Sequence, residues 1–399
     1  MAIIPSTQKF HTVSAEVETV NRGSKTANSR REAFTMQDII DTVPVPPSSP
    51  GLFEEGAGGA TSTQRVGSGT ASGGYSTISG GSSNAASGND STVGGGASNT
   101  ASSYGTSVSG GSNNTASGQY SVVGGGENNT ASGGNAVISG GYNNTASGSF
   151  YGGSTVSGGL RNTASADYAT IGGGSINNAS QLWSTIGGGN SNEASASRAT
   201  IGGGFDNTAS GISSTIGGGR TNNTGGQDAT IGGGEGNTAN GGNSTIGGGE
   251  NNTASGDRAT VSGGGNNTAS GGYNSTIGGG RSNIASGFDS FVGGGQYNVA
   301  SGYFASTISG GNFNTASGYY STIGGGASNT ASSDYSSILG GSANSTSTFA
   351  NSHIVGNSIT SDRINCTFVN NLSIKSIPTS ASGLPSGSVW NNGGVLNIV

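Results

Sequence analysis

The stretch "STIGGGENNTASGDR", residues Ser244 to Arg258, decides the fold of this chain. The next fifteen residues, "ATVSGGGNNTASGGY", nearly repeat it. Related phrases follow one another eighteen times between Gly69 and Ala350. Self-similarity at a fixed period is typical of repeat architectures, in which each unit stacks on the next to build one continuous core.

The composition of the chain favours order over disorder. Among 399 residues, 82 are glycine, 29% are hydrophobic and only 8% are charged. Disordered segments usually combine many charges with few β-branched residues. Here isoleucine, valine and threonine recur at fixed spacing, so we expect the glycine-rich region to form a regular structure.

Each repeat contains one aliphatic residue, isoleucine or valine, which we call the anchor. The anchors are fifteen residues apart except before Val156, where the step is eighteen, and before Ile277 and Ile308, where it is sixteen. Relative to the anchor, the second and third following residues are always glycine, the sixth is always asparagine, and the eighth is alanine in sixteen repeats. The anchors are Ile78, Val93, Val108, Val123, Ile138, Val156, Ile171, Ile186, Ile201, Ile216, Ile231, Ile246, Val261, Ile277, Val292, Ile308, Ile323 and Ile338.

This pattern predicts two short strands in each repeat, one around the anchor and one around the alanine, with both residues pointing inward. The paired glycines suit a tight first corner, because such turns need positive φ. We expect the invariant asparagine to end that corner in a left-handed conformation and to bond to the asparagine of the next coil. All insertions fall between the alanine and the next anchor, which makes that segment, "SGxY", the second corner.

The predicted fold class is therefore all-β, a parallel β-solenoid or β-roll of 15-residue coils. Eighteen coils stacked at roughly 4.8 Å would give a rod of about 85 Å. A helix is excluded because no apolar period of 3.6 residues exists and glycine is a poor helix former. A calcium-binding β-roll is excluded because the acids fall at variable positions.

A single coil buries little apolar surface, which favours association of several chains. Cys366 is the only cysteine, so no disulfide within the chain can stabilise the thin core. We therefore predict an intertwined homotrimeric rod. The small side chains of the alanine–serine strand would let the copies approach closely along an axis.

The ends of the chain differ from the repeats. We divide the sequence into an N-terminal attachment region (1–50), a linker and cap (51–68), the shaft (69–350), a β-rich neck with a larger core (351–377) and a tip (378–399). In the neck, Cys366 is expected to be a buried small hydrophobe. The candidate docking residues of the first region are Phe34, Met36, Ile39 and Ile40.

Signals of chemistry are scarce, and we expect neither an enzyme, a metal site nor a cofactor. His11 and His353 are the only histidines, and both are expected to be structural or surface residues. The glycine triplets lack the Lys-Ser/Thr ending and the βαβ context of phosphate-binding loops. Scattered carboxylates form no clear acid–base pair, although assembly of chains could bring distant ones together, which leaves a polysaccharide depolymerase as an alternative.

Charge and hydropathy restrict the partners. The repeats contain eleven acids and five arginines, which is no basic track for nucleic acid. No run approaches 18 apolar residues, so no membrane insertion is expected. The start, "MAIIPSTQKF", does not have the pattern of a secretory signal.

Aromatic residues recur at the second corner and are candidate contacts for a host glycan. The alternative for these residues is packing at the corner or contact between chains of a trimer. A flat threonine ladder could also match ice, but the position after the anchor is glycine or serine, so a paired threonine array is not expected there. The candidate glycan contacts are Tyr75, Tyr120, Tyr168, Trp183, Tyr320, Tyr335 and Trp390.

The phrases "STIGGGENNTASG" and "STISGGSSNAASG" resemble the head repeats of YadA-like trimeric adhesins, over about 280 residues. The terminal segments "REAFTMQDIIDTV" and "IPTSASGLPSGSVWNNGGVLNIV" resemble those of virion structural proteins from tailed phages, especially marine cyanophages. These resemblances imply a phage tail fibre, made in the host cytoplasm and placed on the virion, that binds other virion proteins through its N-terminal region and contacts the host surface. A capsid- or neck-attached decoration fibre and a bacterial surface adhesin are the alternatives.

Overall fold

The computed structural model describes residues 53–57, 62–65, 69–149, 152–371, 373, 377–393 and 395–398. The chain divides into two compact units, Met1–Gly51 and Leu52–Val399. The first unit, with the docking residues Phe34, Met36, Ile39 and Ile40, lies outside the described residues. The described part of the second unit contains strands and turns and no helix, which confirms the all-β class.

Two parallel sheets face each other across a narrow core, as the repeat predicts. One contains the anchors and is called the anchor sheet; the other contains the alanines and is called the alanine sheet. The strands of the anchor sheet are Thr77–Ile78, Thr92–Val93, Ser107–Val108, Val122–Val123, Val137–Ile138, Thr155–Val156, Thr170–Ile171, Thr185–Ile186, Thr200–Ile201, Thr215–Ile216, Thr230–Ile231, Thr245–Ile246, Thr260–Val261, Thr276–Ile277, Phe291–Val292, Thr307–Ile308, Thr322–Ile323 and Ser337–Ile338. The strands of the alanine sheet are Gly69–Ala71, Asn84–Ala86, Thr100–Ala101, Thr115–Ala116, Thr130–Ala131, Thr145–Ala146, Thr163–Ala164, Asn178–Ala179, Glu193–Ala194, Thr208–Ala209, Asn223–Thr224, Thr238–Ala239, Thr253–Ala254, Thr268–Ala269, Ile284–Ala285, Val299–Ala300, Thr315–Ala316 and Thr330–Ala331.

Neighbouring coils are in register, so each side chain lies above its equivalent in the previous coil. Ile246 pairs with Ile231 on one side and Val261 on the other. In the alanine sheet, Ala254 pairs with Ala239 and with Ala269. All eighteen anchors are fully buried, as are all the alanines of the repeat. The parallel β-solenoid of fifteen-residue coils is thus confirmed.

The first corner combines a left-handed glycine with a buried asparagine. Gly249 has φ of 93°, and a Cβ there would lie 2.1 Å from the carbonyl oxygen of Gly264, so only glycine fits. The predicted conformation of the asparagine is wrong, because the left-handed residue is its neighbour, Asn251, with φ of 54°. The invariant Asn252 is fully buried instead, and its side chain serves as a hydrogen-bonding group.

The side-chain amide of the asparagine links its own coil to the next one. Nδ2 of Asn252 donates to the carbonyl oxygens of Gly248, at 3.0 Å, and Gly264, at 2.9 Å. Its Oδ1 accepts from the backbone N–H of Asn267 at 3.0 Å and from the amide Nδ2 of Asn267 at 3.1 Å. The predicted asparagine ladder is therefore confirmed, and it also supplies hydrogen-bond donors to two carbonyls of the first corner.

A third column of small residues completes the core, two positions before each anchor. It holds serine in most coils, alanine in five others, such as Ala199 and Ala229, and threonine at Thr106, and all of these residues are buried. Several of the serine hydroxyls, including that of Ser321, have no hydrogen-bond partner. Thr224 replaces alanine in the core, and its hydroxyl donates to Oγ of Ser214 at 3.0 Å.

The solenoid continues beyond the predicted shaft at both ends. Strand Thr63–Arg65 pairs in parallel with Thr77–Ile78 and antiparallel with Phe53–Glu55. After the last full repeat, Ser352–Val355 and Cys366–Val369 extend the anchor sheet. Ile354 continues the buried anchor column.

The described residues of the neck do not form the larger core that we predicted. Ile359 and Phe368 pack against the core only partly buried, and Ile364 is exposed. Cys366 is half-buried and free, which contradicts its predicted full burial, because no described strand covers the far side of its strand. Leu372 and Ile374 of the predicted neck lie outside the described residues. In the tip, Val389–Asn392 and Val395–Ile398 form an antiparallel pair.

Candidate recognition surface

In every coil except that of Val156, the second corner places one residue in a left-handed conformation, three positions before the anchor. Asp228, for example, has φ of 54°, and its N–H donates to the carbonyl of Ile212 in the previous coil at 2.9 Å. Aspartate, asparagine and glycine tolerate this region well, and bulky residues rarely occupy it. An aromatic residue at this position therefore adopts a strained backbone conformation. Its contacts or its function must offset the energy of that strain.

Six of the seven predicted glycan contacts occupy this position, with φ between 51° and 58°. All six side chains are exposed. They share one corner of the solenoid, although sequence alone did not predict their conformation. The six residues are Tyr75, Tyr120, Tyr168, Trp183, Tyr320 and Tyr335.

The structure brings only some of them together. The rings of Tyr320 and Tyr335 stack with centroids 5.4 Å apart, and those of Tyr168 and Trp183 stack at 5.9 Å. The guanidinium of Arg198 covers the Trp183 ring at 5.2 Å. Tyr75 stacks on no other ring among the described residues.

Tyr120 belongs to a smaller cluster with Tyr104. The two rings meet edge to face, with centroids 5.4 Å apart. The hydrogen bond from Tyr104 to the carboxylate of Asp90 raises the pKa of the tyrosine hydroxyl above its ordinary value. The seventh candidate, Trp390, lies half-buried in the antiparallel pair of strands at the tip.

A larger group of rings, which sequence reasoning missed, surrounds Tyr320 and Tyr335. Its additional members lie four or five positions before the anchor, one column away from the predicted one. A count of aromatic residues at positions three to five before the anchor would have revealed this group from the sequence. Residues 206–272 contain no aromatic residue, whereas the next five coils contain many. We call this group the aromatic patch: Tyr273, Phe288, Tyr303, Phe304, Tyr319, Tyr320 and Tyr335.

The aromatic patch is continuous over five coils. Centroid distances between neighbouring rings range from 4.7 Å, for Tyr303 and Phe304, to 6.5 Å, for Phe304 and Tyr320. Six of the seven side chains expose between 38% and 58% of their surface, and Phe288 is half-buried. Contiguous exposed apolar surface of this kind marks interaction sites on soluble proteins.

Two of the three insertions in the solenoid fall within the patch. The sixteen-residue steps before Ile277 and Ile308 add a residue to the corners that present Tyr273 and the pair Tyr303 and Phe304. Both coils keep their anchors buried and in register. The extra residues therefore change the corner alone, where they increase the surface offered to solvent.

Polar groups around the patch are mainly acidic. Nδ2 of Asn274 donates to Oδ1 of Asp289 at 2.8 Å, and the N–H of Tyr319 donates to Oδ1 of Asp334 at 3.0 Å. Both carboxylates are exposed. A guanidinium lies only at the N-terminal end of the patch, where Arg258 covers Tyr273 at 5.8 Å.

The outward faces of the two sheets are nearly uncharged. Threonine precedes most anchors, and on the alanine sheet threonine and serine flank the alanine, as Thr253 and Ser255 flank Ala254. Across the outward positions of the eighteen coils, the only charge is that of Glu193. Paired hydroxyl columns thus exist on the alanine sheet.

The described residues offer no cluster for a metal ion. Among them, no group of three or more histidine, cysteine or acidic residues is placed to hold a metal ion. His353 takes the place of a threonine beside the anchor column, and its Nδ1 lies 2.7 Å from Oγ of Ser337. In the described part of the chain, no helix has the length and apolar character that crossing a bilayer requires.

Comparison of the chain with protein-family models and with curated proteins finds no match.

Proposed function

We propose that this protein is a structural fibre of a phage particle, a homotrimeric rod that contacts the host surface. The observation that carries this proposal is the unbroken stacking of in-register coils, in which backbone hydrogen bonds and the asparagine ladder join each coil to the next. Repetition of this kind builds length and stiffness. The assignment to a virion is supported by the resemblance of the terminal segments.

A trimer is favoured by the thin core and by the uncharged sheet faces. Each coil buries one branched aliphatic side chain, one alanine or threonine and one further small residue, beside the asparagine. Interfaces between subunits are depleted in charged residues at their centres, and the outward sheet positions carry one charge, on Glu193. We assign the alanine sheet to the trimer axis, because its small side chains allow close approach.

Sedimentation equilibrium tests the trimer. We expect a species of three times the chain mass of 38.3 kDa. Lysine in place of Thr238 and Thr253, on the alanine sheet, should dissociate it. Lysine in place of Thr230 and Thr245, on the anchor sheet, is the matched control and should leave it intact. A compact monomer for the unmodified chain would contradict the trimer, and dissociation by the control pair alone would move the axis to the anchor sheet.

Antibody labelling of virus particles tests the virion assignment. Label along the tail supports a tail fibre, label on the capsid or neck supports a decoration fibre, and label on a bacterial envelope without particles supports the adhesin alternative. Particles that carry no label would contradict the virion proposal. The proposal includes no catalysis, so host polysaccharide incubated with the protein should keep its chain length.

A further inference from the structure

We propose that the aromatic patch on the last five repeats binds an uncharged glycan chain along the second corner. This inference rests on the proposed contact with a host surface and adds to it a site and a class of ligand. The patch is the longest continuous run of contacting rings in the described part of the chain, and six of its seven side chains expose between 38% and 58% of their surface.

Corner packing alone does not explain the patch. The four consecutive coils from Ile216 to Val261 make the same corner without any aromatic residue, with Asp228, Asn243 and Arg258 in the left-handed position. Tyr320 and Tyr335 occupy it against the preference of bulky residues. Side chains that the corner does not need, in a conformation that they disfavour, point to a function.

The charges around the patch exclude anionic ligands. Asp289 and Asp334 are exposed beside the rings, and the positive charge of Arg258 lies at one end. Single-stranded nucleic acids also stack on aromatic rings, but they require a basic groove along their phosphates. Sulfated or uronate-rich polysaccharides would meet the same repulsion. An uncharged polymer would instead find carboxylate and phenol oxygens that accept hydrogen bonds from its hydroxyl groups.

The arrangement of the rings suits a sugar chain. Phe304, Tyr320 and Tyr335 stack nearly parallel, with interplanar angles of 14° and 15°, so neighbouring rings cover much of their faces. Tyr303 stands at 89° to Phe304, and Tyr319 is tilted by 47° from Phe304. No parallel ring covers the faces of these two tyrosines, and the negative face of an aromatic ring attracts the C–H groups of a pyranose.

The shape of the patch favours a polymer over a protein. Its rings follow one corner of the solenoid over five coils, in a ribbon one or two rings wide. A standard protein interface uses about 20–30 residues on each partner, whereas the patch consists of seven. A chain of sugar units lying along the corner would meet a new ring at every coil.

A glycan array tests the proposal with the full chain. The probes are uncharged hexose and N-acetylhexosamine oligosaccharides, printed beside sulfated and uronate oligosaccharides. We expect binding among the uncharged probes and at least a tenfold loss of affinity in the double variant Tyr303→Ala, Tyr319→Ala. The matched control is Tyr142→Ala, Phe205→Ala, which removes two comparably exposed rings from the first corner and should bind as the unmodified chain does.

Several results of these experiments would overturn the proposed glycan site. No binding to uncharged probes, equal loss in both double variants, or binding only to anionic probes would overturn the inference. Binding of the unmodified chain to host cells that is lost after protease treatment and kept after periodate oxidation would also overturn it, in favour of a protein receptor. A silent array from a protein that is trimeric and present on particles refutes the glycan site alone, whereas a monomer absent from particles refutes the proposed function.

Discussion

The invariant asparagine shows how one buried polar residue can hold a repeat together. Its amide has two donor hydrogens and one acceptor oxygen, and Asn252 uses all of them on neighbouring backbone groups and on Asn267. Buried polar groups stabilise a core only when every member of the network has a partner. No other residue of similar size offers both a two-hydrogen donor and an acceptor oxygen. This explains the presence of asparagine in all eighteen coils.

Replacing Asn252 with alanine should therefore destabilise the solenoid. The change leaves the carbonyls of Gly248 and Gly264 and the N–H of Asn267 without this partner, at about 1–3 kcal/mol for each buried group that stays unpaired. Hydrogen exchange should show faster exchange at the Asn267 amide, and the unfolding midpoint should fall. The control is Asn251→Gly, an exposed neighbour in a left-handed conformation that glycine accepts. Equal effects of the two changes would contradict this role of the ladder.

The unpaired serine hydroxyls in the core predict a stabilising substitution. Ser321 is buried and its hydroxyl has no partner, whereas other coils have alanine at the same position. We expect Ser321→Ala to raise the free energy of unfolding by about 1 kcal/mol, because it removes an unsatisfied polar group.

The matched control for that substitution is Ser336→Ala, in the next coil. The hydroxyl of Ser336 donates to the carbonyl of Ser333 and lies 3.1 Å from Oγ1 of Thr346, so its loss should lower stability. Denaturant unfolding measures both variants. A lower midpoint for Ser321→Ala would show that its hydroxyl has a partner in solution.

The two corners of a coil differ as structural elements. The first corner keeps a constant eight-residue spacing from anchor to alanine, because the asparagine side chain must reach both its own corner and the next one. The second corner has no such side-chain ladder, and natural insertions of one and three residues occur there. The second corner should therefore tolerate inserted residues, and the first corner should not.

A single glycine inserted into one coil tests this contrast. Between Gly242 and Asn243, at the second corner, it should leave the solenoid folded with a small change in midpoint. Between Gly249 and Glu250, at the first corner, it moves Asn252 out of its column and should cause a clear loss of stability. Circular dichroism during thermal unfolding compares the two, and similar midpoints would contradict the assignment of the corners.

On the scale of the whole molecule, electrostatics contribute little to the stability of the solenoid. The charges of the repeats lie on exposed corners, apart from Glu193 on the alanine sheet, and the described ion pairs, Arg220–Glu235 and Asp362–Arg363, are exposed. Exposed ion pairs contribute little to stability, because water and salt screen them. Core packing and backbone hydrogen bonds hold the coils together instead.

The unfolding midpoint should therefore be nearly independent of ionic strength. Salt screens exposed charges and affects uncharged hydrogen-bonded ladders much less. We expect sodium chloride between low and physiological concentrations to move the midpoint by no more than a few degrees at constant pH, as measured by circular dichroism. A steep fall with salt would indicate that ion pairs within or between chains are essential.

The repeat period, the two strands, the inward direction of anchors and alanines and the hydrogen-bonded asparagine ladder could all be predicted from the sequence. They follow from local rules that every coil obeys, such as strand alternation and the need of tight corners for glycine. Eighteen copies make such rules visible within one chain. Six aromatic residues at one corner, Tyr320 and Tyr335 among them, were predicted for the same reason.

Only the tertiary structure decided which of those rings meet. Whether Tyr303, Phe304 and Tyr319 form one surface with Tyr320 depends on the stacking of coils whose corners differ in length, and no local rule contains that information. Three further features could not be predicted from local rules either: the left-handed conformation of Asn251, the half-burial of Cys366 and the missing partner of the Ser321 hydroxyl. Each depends on atoms of another coil, because in a solenoid the neighbours of a residue lie about fifteen residues away along the chain.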